Sequence, residues 1–289
     1  MFHQTALRLL FAAAARFPGV LHRCRVLLAA VVWRCSGEVR RTCRANGRVI
    51  LGTEAEPEDI DEYGRGVIAE FIRFVTEIAL ARRLSREAIL SRIGTIEGRE
   101  HFEAAERMRR GLVVATCHCG NFEVGAAAVT ERASETHVLF QGDRQSGFEQ
   151  MRSSLHEHLG IAEAHVETGL AAWMQLRDAL TRGGAVLIQA DRCMPGQDGI
   201  ATPFFGSQLV MPDGPAKLAR LADAPILPVA CVIESDERTR LIIGPPIDPR
   251  DSDGFDHRAR RSLAAFFEGV VRTYPTQWHT LHSVFVEPE

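Results

Sequence analysis

The sequence predicts an α/β protein, a single domain with a mostly parallel mixed sheet flanked by helices and preceded by an N-terminal helical layer. Its 289 residues are enough to bury a sizeable core. From residue 111 onward, short apolar runs alternate with helical patterns, which is typical of helices that cover a largely parallel sheet. The first hundred residues carry helical patterns, so we expect them to be attached to this domain as a helical layer.

The N-terminal part is predicted to be helical. Residues 4 to 50 indicate two or three helices with a break at Phe17-Pro18-Gly19. Residues 57 to 82 have the pattern of one amphipathic helix, and a shorter helix is predicted from Ser85 to Arg92.

The remaining elements alternate in type along the chain. The predicted strands are GLVVATC (111–117), THVLFQ (136–141), GAVLIQAD (184–191), APILPVACVI (224–233) and RLIIGPPI (240–247). Predicted helices begin at Asn121 or cover residues 147–159, 168–182, 212–223 and 255–273.

Charge is distributed unevenly along the chain. The net charge of −3 argues against a general nucleic-acid-binding protein. Residues 1 to 50, however, carry nine arginines and one acidic residue, on a background of leucine, alanine and aromatic residues. The longest charge-free run there, Val26 to Trp33, has eight residues, whereas about 20 are needed to span a bilayer. We therefore expect no spanning helix, and because no small-residue cleavage pattern follows one clean apolar core, we expect no secretory signal. The pattern fits a helix in the membrane interface, but taken alone it favours an amphipathic helix that covers the protein's own core.

The seven cysteines are scattered and form no C-x-x-C pair. A chain of this length does not need disulfides, so we interpret them as reduced thiols in a cytosolic environment.

The segment ATCHCGNFEVG, residues 115–125, lies where a predicted strand ends and a predicted helix begins. Its histidine, His118, has three possible roles. A metal site is disfavoured because, in an extended segment, Cys117 and Cys119 point away from the face of His118, and zinc ligands are usually spaced by two to four residues. A cysteine nucleophile is disfavoured because adjacent residues form a direct pair poorly, and no cysteine-protease signature is present.

The third role, a histidine base, fits the predicted local structure best. Ligands bind at the carboxyl ends of strands in α/β sheets, where His118 would lie. Gly120 allows a sharp turn, and Asn121 is a favoured N-cap. Glu123 is expected to fold back onto the imidazole, which would fix its tautomer and raise its basicity. A helix-capping glutamate beside an incidental histidine has the same spacing, and spacing alone favours that simpler interpretation.

Four segments together resemble one protein family in order and spacing. They are HCGNFE (118–123), GGAVLIQADRCMPGQDGIATPFFG (183–206), PDGPAKLARLADAPILPV (212–229) and YPTQWHTLH (274–282). The first resembles the H-x4-D/E box of the lysophospholipid acyltransferase superfamily. The set is more narrowly similar to the branch that contains the lipid A lauroyl and myristoyl acyltransferases and the mycobacterial phosphatidylinositol mannoside acyltransferase. Two departures are Phe122, where tryptophan is commoner, and His156 with His158, near which the family carries an arginine; whether Arg152 replaces that arginine is open.

The resemblance implies an enzyme that transfers an acyl chain from an acyl-carrier-protein or coenzyme A thioester to a hydroxyl or amine of a lipid or glycolipid. It implies a membrane lipid acceptor and possible contact with acyl-carrier protein. It implies no cofactor, no metal and no nucleic acid. The expected location is the cytoplasmic face of the bacterial inner membrane, peripheral or monotopic. Residues 1–50 would then be membrane-associating helices, and residues 51–289 the acyltransferase domain.

The resemblance also implies site residues. His118 and Glu123 would be the catalytic pair, with Glu123 orienting His118. The expected substrate-binding residues are Gly120, Asn121, Arg144, Asp191, Arg192, Phe204, Phe205 and Gly206. For Arg144 a solvated position is an equal alternative to a phosphate contact, and for the two phenylalanines a place in the core is nearly equal to an acyl-chain channel. A hydrolase that uses the same residues, and a non-catalytic lipid-binding homologue, are the alternative functions.

Overall fold

A computed structural model describes residues 2–140, 147–193, 197–251 and 254–286, with residues 2–8 described by their backbone alone. The helices of this part are α1 (Phe2–Arg16), α2 (Pro18–Cys35), α3 (Gly37–Leu51), α4 (Pro57–Ala81), α5 (Arg86–Leu90), α6 (Arg99–Arg107), α7 (Phe122–Thr130), α8 (Gly147–Leu159), α9 (Leu170–Thr181), α10 (Gly214–Ala222) and α11 (Phe255–Thr273). The strands are β1 (Ile93–Glu97), β2 (Leu112–Thr116), β3 (Thr136–Phe140), β4 (Ile161–His165), β5 (Ala185–Gln189), β6 (Ile200–Phe204), β7 (Ser207–Met211), β8 (Ile226–Ile233) and β9 (Thr239–Ile243).

The main sheet has seven strands in the order β1-β9-β8-β2-β5-β3-β4. All neighbouring pairs are parallel except β8 with β9, which is antiparallel. Strands β6 and β7 form a separate antiparallel hairpin. The predicted α/β class with a mostly parallel mixed sheet is confirmed. Because β2, β5, β8, β3 and β4 run in one direction, their carboxyl ends meet at one edge of the sheet.

The sheet separates two buried layers, and β2 shows how alternation assigns side chains to them. Val113, Ala115 and Cys117 belong to the cluster that includes residues of α10 and α11. Val114 belongs to the cluster on the opposite face, which includes residues of α4, α7 and α8. Successive strand residues point to opposite faces, and His118, which follows Thr116 by two residues, lines the cavity on the second face.

The N-terminal region forms three helices, and the predicted break is present at Phe17, where α1 ends and α2 begins with Pro18. Proline fits the first turn of a helix, because the N–H that it lacks has no partner there. One face of α2 and α3 is buried against α4 through Ala29, Trp33 and Ile72, among others. No helix in the described part of the chain combines the length and the apolar character needed to cross a bilayer. The division of the chain at residue 50 remains a prediction.

Several short elements were absent from the sequence-based prediction. They are β1, α6, the edge strand β4 and the β6–β7 hairpin. Strand β4 reads IAEAH, and only Ile161 and Ala164 are buried. A five-residue edge strand with two polar positions gives too weak a periodicity to be distinguished from a loop.

Candidate active site

His118 and Asp191 are brought together by the register of two neighbouring strands. Thr116, the last residue of β2, pairs with Gln189, the last residue of β5. Each strand is followed two residues later by one of the two side chains. His118 Nδ1 lies 2.7 Å from Asp191 Oδ1. The sheet therefore places an imidazole and a carboxylate in hydrogen-bond contact at the edge where ligands bind in α/β folds.

Asp191 is fully buried and is held by further donors. Its second oxygen, Oδ2, accepts hydrogen bonds from Trp278 Nε1 at 2.7 Å and from Arg192 Nη1 at 3.2 Å. Burial alone would raise the pKa of Asp191, but its contact with His118, the charge of Arg192 and the hydrogen bonds from His118 and Trp278 lower the pKa well below its usual value. Asp191 is thus an ionised, fixed acceptor for the histidine.

Burial and the hydrogen bond to Asp191 together determine the charge and the tautomer of His118. Burial, helped by the positive charge of Arg192, lowers the pKa of His118, and this outweighs the opposing effect of Asp191. The ring is therefore neutral at neutral pH, with its proton on Nδ1 facing the carboxylate. Nε2 is left as the basic nitrogen, and it makes no hydrogen bond to the residues that the structure describes. This is the arrangement of a general base with an orienting carboxylate.

Glu123 has different partners from those the sequence predicted. Its Oε1 accepts a hydrogen bond from Arg152 Nε at 2.6 Å, and its Oε2 lies 2.7 Å from His156 Nε2. The prediction that Glu123 directly orients His118 is thus corrected: Asp191 occupies that place. The physical reason is that α8 packs beside α7 and brings two cations, the half-buried Arg152 and the buried His156, to Glu123. A contribution of Glu123 to catalysis by another route remains a prediction.

Glu123, Arg152, His156 and Glu163 form a cluster of charges, and the first three of them line the cavity. The other ring nitrogen of His156 lies 2.7 Å from Glu163 Oε1, so both nitrogens face carboxylates and the ring is held as imidazolium. Burial lowers the pKa of His156, but the charge of Glu123 and the hydrogen bonds to Glu123 and Glu163 raise the pKa to about 9. Burial raises the pKa of Glu123, but Arg152 and His156 lower it to about 2. Arg152 and His156 share the neighbourhood where the resemblance expects one arginine.

The start of α7 has the predicted form. Asn121 is its N-cap, and the side-chain oxygen accepts the Val124 N–H at 3.1 Å. Its amide nitrogen donates to Glu77 Oε2 at 2.6 Å. Gly120 has a φ of 56°, and a Cβ there would lie 2.1 Å from the carbonyl oxygen of Cys231, so the turn requires glycine. Neither residue lines the cavity; both position the helix, and the substrate contacts of Gly120 and Asn121 remain a prediction.

A cavity of about 1190 Å³ opens beside His118. Part of its wall is apolar and comes from the sheet and α7, including Val114, Ala126, Val129, Leu187 and Val229. Another part is polar and includes Glu123, Arg152, His156, Arg192, His279 and His282. A cavity of this size and mixed lining suits a ligand with a long apolar portion and a polar portion.

Three further residues that were predicted to bind the substrate lie away from the cavity, namely Phe204, Phe205 and Gly206. Phe204 is buried and packs on Trp278, with ring centroids 5.4 Å apart. Phe205 and Gly206 form the turn of the β6–β7 hairpin. None of the three lines the cavity; Phe204 takes the core position that was the alternative, and a role of these residues in an acyl-chain channel remains a prediction. Arg144 lies outside the described residues.

The cysteines beside His118 are buried side chains. Cys117 and Cys119 have no exposed surface and belong to the core cluster on the face opposite the cavity. Burial raises the pKa of Cys117 well above its usual value, which disfavours the thiolate that a nucleophile requires. The side chains alternate across the segment as its extended form predicts.

The sequence-based prediction did not place the C-terminal segment at the site. Cys119 pairs with Trp278 in an antiparallel bridge, and the His279 N–H donates to the His118 carbonyl oxygen at 2.9 Å. His279 and His282 line the cavity, and Trp278 holds Asp191. The motif YPTQWHTLH was recognised as part of a resemblance, but no periodic pattern indicated that it would return to the sheet edge.

Comparison with known proteins agrees with the four segments. The sequence model of a family described as bacterial lipid A biosynthesis acyltransferase matches residues 8–286. A phosphatidylinositol mannoside acyltransferase from Mycolicibacterium smegmatis is 25% identical over 232 residues, which cover 80% of this chain and 75% of the relative. One from Mycobacterium tuberculosis is 27% identical over 224 residues, covering 77% and 67%. The family match includes every site residue described above.

Proposed function

The protein belongs to the bacterial lipid A biosynthesis acyltransferase family and is an acyltransferase, and we propose that it moves a fatty acyl chain from an acyl thioester to a hydroxyl or amine of a lipid acceptor. In this proposal His118 is the general base, and Asp191 is the group that orients His118. The resemblance seen in the sequence is thus confirmed at the level of the family. The observation that carries the proposed chemistry is the 2.7 Å contact between His118 Nδ1 and Asp191 Oδ1 beside a large, partly apolar cavity.

The reaction follows from the state of the dyad. His118 Nε2 removes the proton of the acceptor hydroxyl as its oxygen attacks the thioester carbonyl carbon. The carbonyl electron pair moves onto oxygen and gives a tetrahedral oxyanion. Collapse of this intermediate re-forms the carbonyl and breaks the carbon–sulfur bond, and the leaving thiolate takes the proton from His118. Asp191 stabilises the imidazolium between the two proton transfers. No covalent acyl-enzyme is needed.

The developing oxyanion requires hydrogen-bond donors, and α7 provides them near His118. The first N–H groups of a helix have no partner within the helix. Asn121 caps that of Val124, which leaves the amides of Phe122 and Glu123 in the first turn. Both residues line the cavity, and helix N-termini favour negative charge. These two amides are the proposed donors.

The apolar wall of the cavity suits the acyl chain. Side chains from β2, α7, β5 and β8 form this wall, and each buried methylene contributes about 0.8 kcal/mol to binding. The donor is an acyl-carrier-protein or coenzyme A thioester, and the acceptor is a membrane lipid such as a glycolipid. This part of the proposal rests on the family and on its mycobacterial relatives, which are named phosphatidylinositol mannoside acyltransferases.

We also propose that the protein works at a membrane surface, on the cytoplasmic face of the inner membrane, as a peripheral or monotopic protein. On α2, Val20, Leu27 and Val31 are more than half exposed. They recur with spacings that place them on one helix face, opposite the buried Ala29 and Trp33. Arginines among such side chains suit a helix that lies in the interface of an anionic bilayer.

The test uses purified protein, palmitoyl-coenzyme A or palmitoyl-acyl-carrier protein, and a lipid extract of cells that carry this gene. Mass spectrometry should detect an acylated lipid with the wild type. The variant His118→Ala should lose at least about 100-fold in rate with an unchanged melting temperature. The exposed His158 on α8 gives the matched control His158→Ala, which should keep wild-type turnover. Near-normal transfer by His118→Ala, or release of free fatty acid at the same rate without lipid, would contradict the proposal.

A further inference from the structure

Unpartnered polar atoms collect around the cavity. The described part of the chain has eight buried side-chain nitrogen or oxygen atoms that make no hydrogen bond. Four of them belong to residues that line this one cavity, namely Thr116, Arg192, His279 and His282. Buried polar groups in folded proteins are nearly always paired, so such a concentration marks a place where a ligand supplies the partners.

His279 is the best defined of these residues. Its Nε2 lies 2.9 Å from the Gly120 carbonyl oxygen, and because a carbonyl accepts only, Nε2 must carry the proton. Burial is the main cause that lowers the pKa of His279 to about 3, so the ring stays neutral. Nδ1 is then a bare acceptor, and it has no partner among the described residues.

The ring of His279 is held in place. It stacks on Phe74 with centroids 4.9 Å apart and an interplanar angle of 29°. Its backbone carbonyl accepts Arg192 Nη2 at 2.8 Å. With its imidazole fixed at Nε2 and on one ring face, His279 presents Nδ1 in a preformed position and loses little freedom when a ligand binds.

His279 also lies directly beside the proposed base. The bridge between Cys119 and Trp278 is antiparallel, so His118 and His279 face one another across it, and directly opposed residues point to the same side. A donor that hydrogen-bonds to His279 therefore lies next to the group that loses its proton to His118.

We propose that His279 Nδ1 accepts a hydrogen bond from a second hydroxyl of the acceptor, the one next to the hydroxyl that is acylated, and thereby selects polyol or sugar headgroups. The inference rests on the proposed function. A hydroxyl both donates and accepts, which matches a wall that offers the acceptor Nδ1 of His279 and the unpartnered donor Nε of Arg192. A sugar or polyol carries such hydroxyls side by side, whereas a simple alcohol lacks the second one.

The experiment compares two variants of His279 with a control, using palmitoyl-coenzyme A and the lipid extract defined above. His279→Gln keeps an N–H at the position of Nε2 for Gly120 and removes the acceptor Nδ1. His279→Asn keeps an acceptor near the position of Nδ1 and loses the bond to Gly120. The control is His137→Gln: this buried histidine pairs with Glu135 and does not line the cavity.

The expected result distinguishes binding of the lipid acceptor from binding of the thioester donor. His279→Gln should raise the KM for the lipid acceptor by about 10-fold, as for loss of one buried hydrogen bond, with a much smaller change in the KM for palmitoyl-coenzyme A. His279→Asn should lower the melting temperature more and the acceptor affinity less. His137→Gln should leave both KM values unchanged. If the KM for the thioester rises instead, or neither KM changes, the inference is overturned. If the wild type acylates no lipid of the extract, the proposed function fails first, and this inference fails with it.

A measurement on the wild type covers the case in which His279→Gln does not fold. The acylated lipid identified above is added in its unacylated form, without donor, to protein labelled with ¹⁵N in its histidine side chains. The Nδ1 resonance of His279 should shift on binding because a bare nitrogen gains a hydrogen bond. A Nδ1 resonance that stays in place at saturation would contradict the inference.

Discussion

His156 lies between two carboxylates, with Nε2 2.7 Å from Glu123 Oε2 and Nδ1 2.7 Å from Glu163 Oε1. Both nitrogens must donate, so the buried ring is charged and joins α8 to α7 and β4 by electrostatic contacts. Glu123, in the first turn of α7, is thereby fixed at the wall of the cavity, with Arg152 and His156 rather than His118 as its hydrogen-bond partners. This relationship has consequences for stability that differ from those for catalysis.

The first prediction concerns alkaline pH. The pKa of His156 is raised from 6.5 to about 9, so the folded state binds more protons than the unfolded state between these values. The stabilisation is fully present below about pH 6.5 and is lost as the pH rises through about 9, amounting to about 3 kcal/mol. The melting temperature should fall over this window.

The variant His156→Gln provides the control for that measurement. It should melt lower than the wild type at pH 6.5, and its melting temperature should change much less between pH 6.5 and 9. An equal alkaline loss in both proteins would show that another group titrates. His279 and His282 affect stability in the opposite direction below pH 6.5. Burial lowers their pKa values in the folded state to about 3 and about 4. As the pH falls below 6.5, the histidines of the unfolded state therefore bind protons first, and the folded state loses stability.

The second prediction separates the roles of the two carboxylates. Asp191→Asn should keep the fold and lose about 100-fold or more in rate, because the amide no longer holds the imidazole in the correct tautomer. Glu123→Gln removes one charge from a buried group of ions, which typically costs about 3–5 kcal/mol, so its main effect should be on the melting temperature. Both variants are assayed well below their melting temperatures. A larger rate loss in a stable Glu123→Gln protein than in Asp191→Asn would return Glu123 to the catalytic role that its sequence position suggested.

The sequence located the dyad only in part, for a physical reason. His118 was singled out by local signals, namely a strand end, the glycine turn at Gly120 and the N-cap at Asn121, and its catalytic role came from the family resemblance. Asp191 was placed on the same sheet edge, but its contact with His118 depends on β2 and β5 being neighbours in register, which local pattern does not encode. The partners of Glu123 lie 29 and 33 residues away on α8. Helical periodicity gives the buried face of α8 but not the carboxylate that it meets.

The third prediction concerns the pH dependence of transfer. The base must be unprotonated, and the pKa of His118 lies below its usual value through burial and the charge of Arg192. The value of kcat/KM should therefore be flat at pH 7–8 and fall on the acid side of pH 6.5, the ordinary value for histidine. In Arg192→Gln the acid limb should move to higher pH, because one of the charges that lowers the pKa is removed. An acid limb that stays in place would mean that the titrating group is not His118.

The fourth prediction addresses the thiols. Cys119 is fully buried and faces the core, so Cys119→Ala should retain most of the transfer activity and lose only the packing of one sulfur atom. Alanine is preferred to serine, because a buried hydroxyl without a partner would itself destabilise the core. A folded Cys119→Ala protein with activity as low as that of His118→Ala would revive the cysteine-nucleophile alternative.

The last prediction concerns the exposed face of α2. Leu27 is 68% exposed and shares that face with Val20 and Val31, so Leu27→Glu should not disturb the core. It places a negative charge where we propose an anionic bilayer and removes an apolar side chain that would insert into it. Binding to vesicles that contain anionic lipid should weaken in a flotation assay, with an unchanged melting temperature. Leu221 on α10 is 59% exposed and lies outside the N-terminal helices, so Leu221→Glu is the matched control and should bind as the wild type does. Equal binding by the wild type and both variants would mean that α2 does not face the membrane.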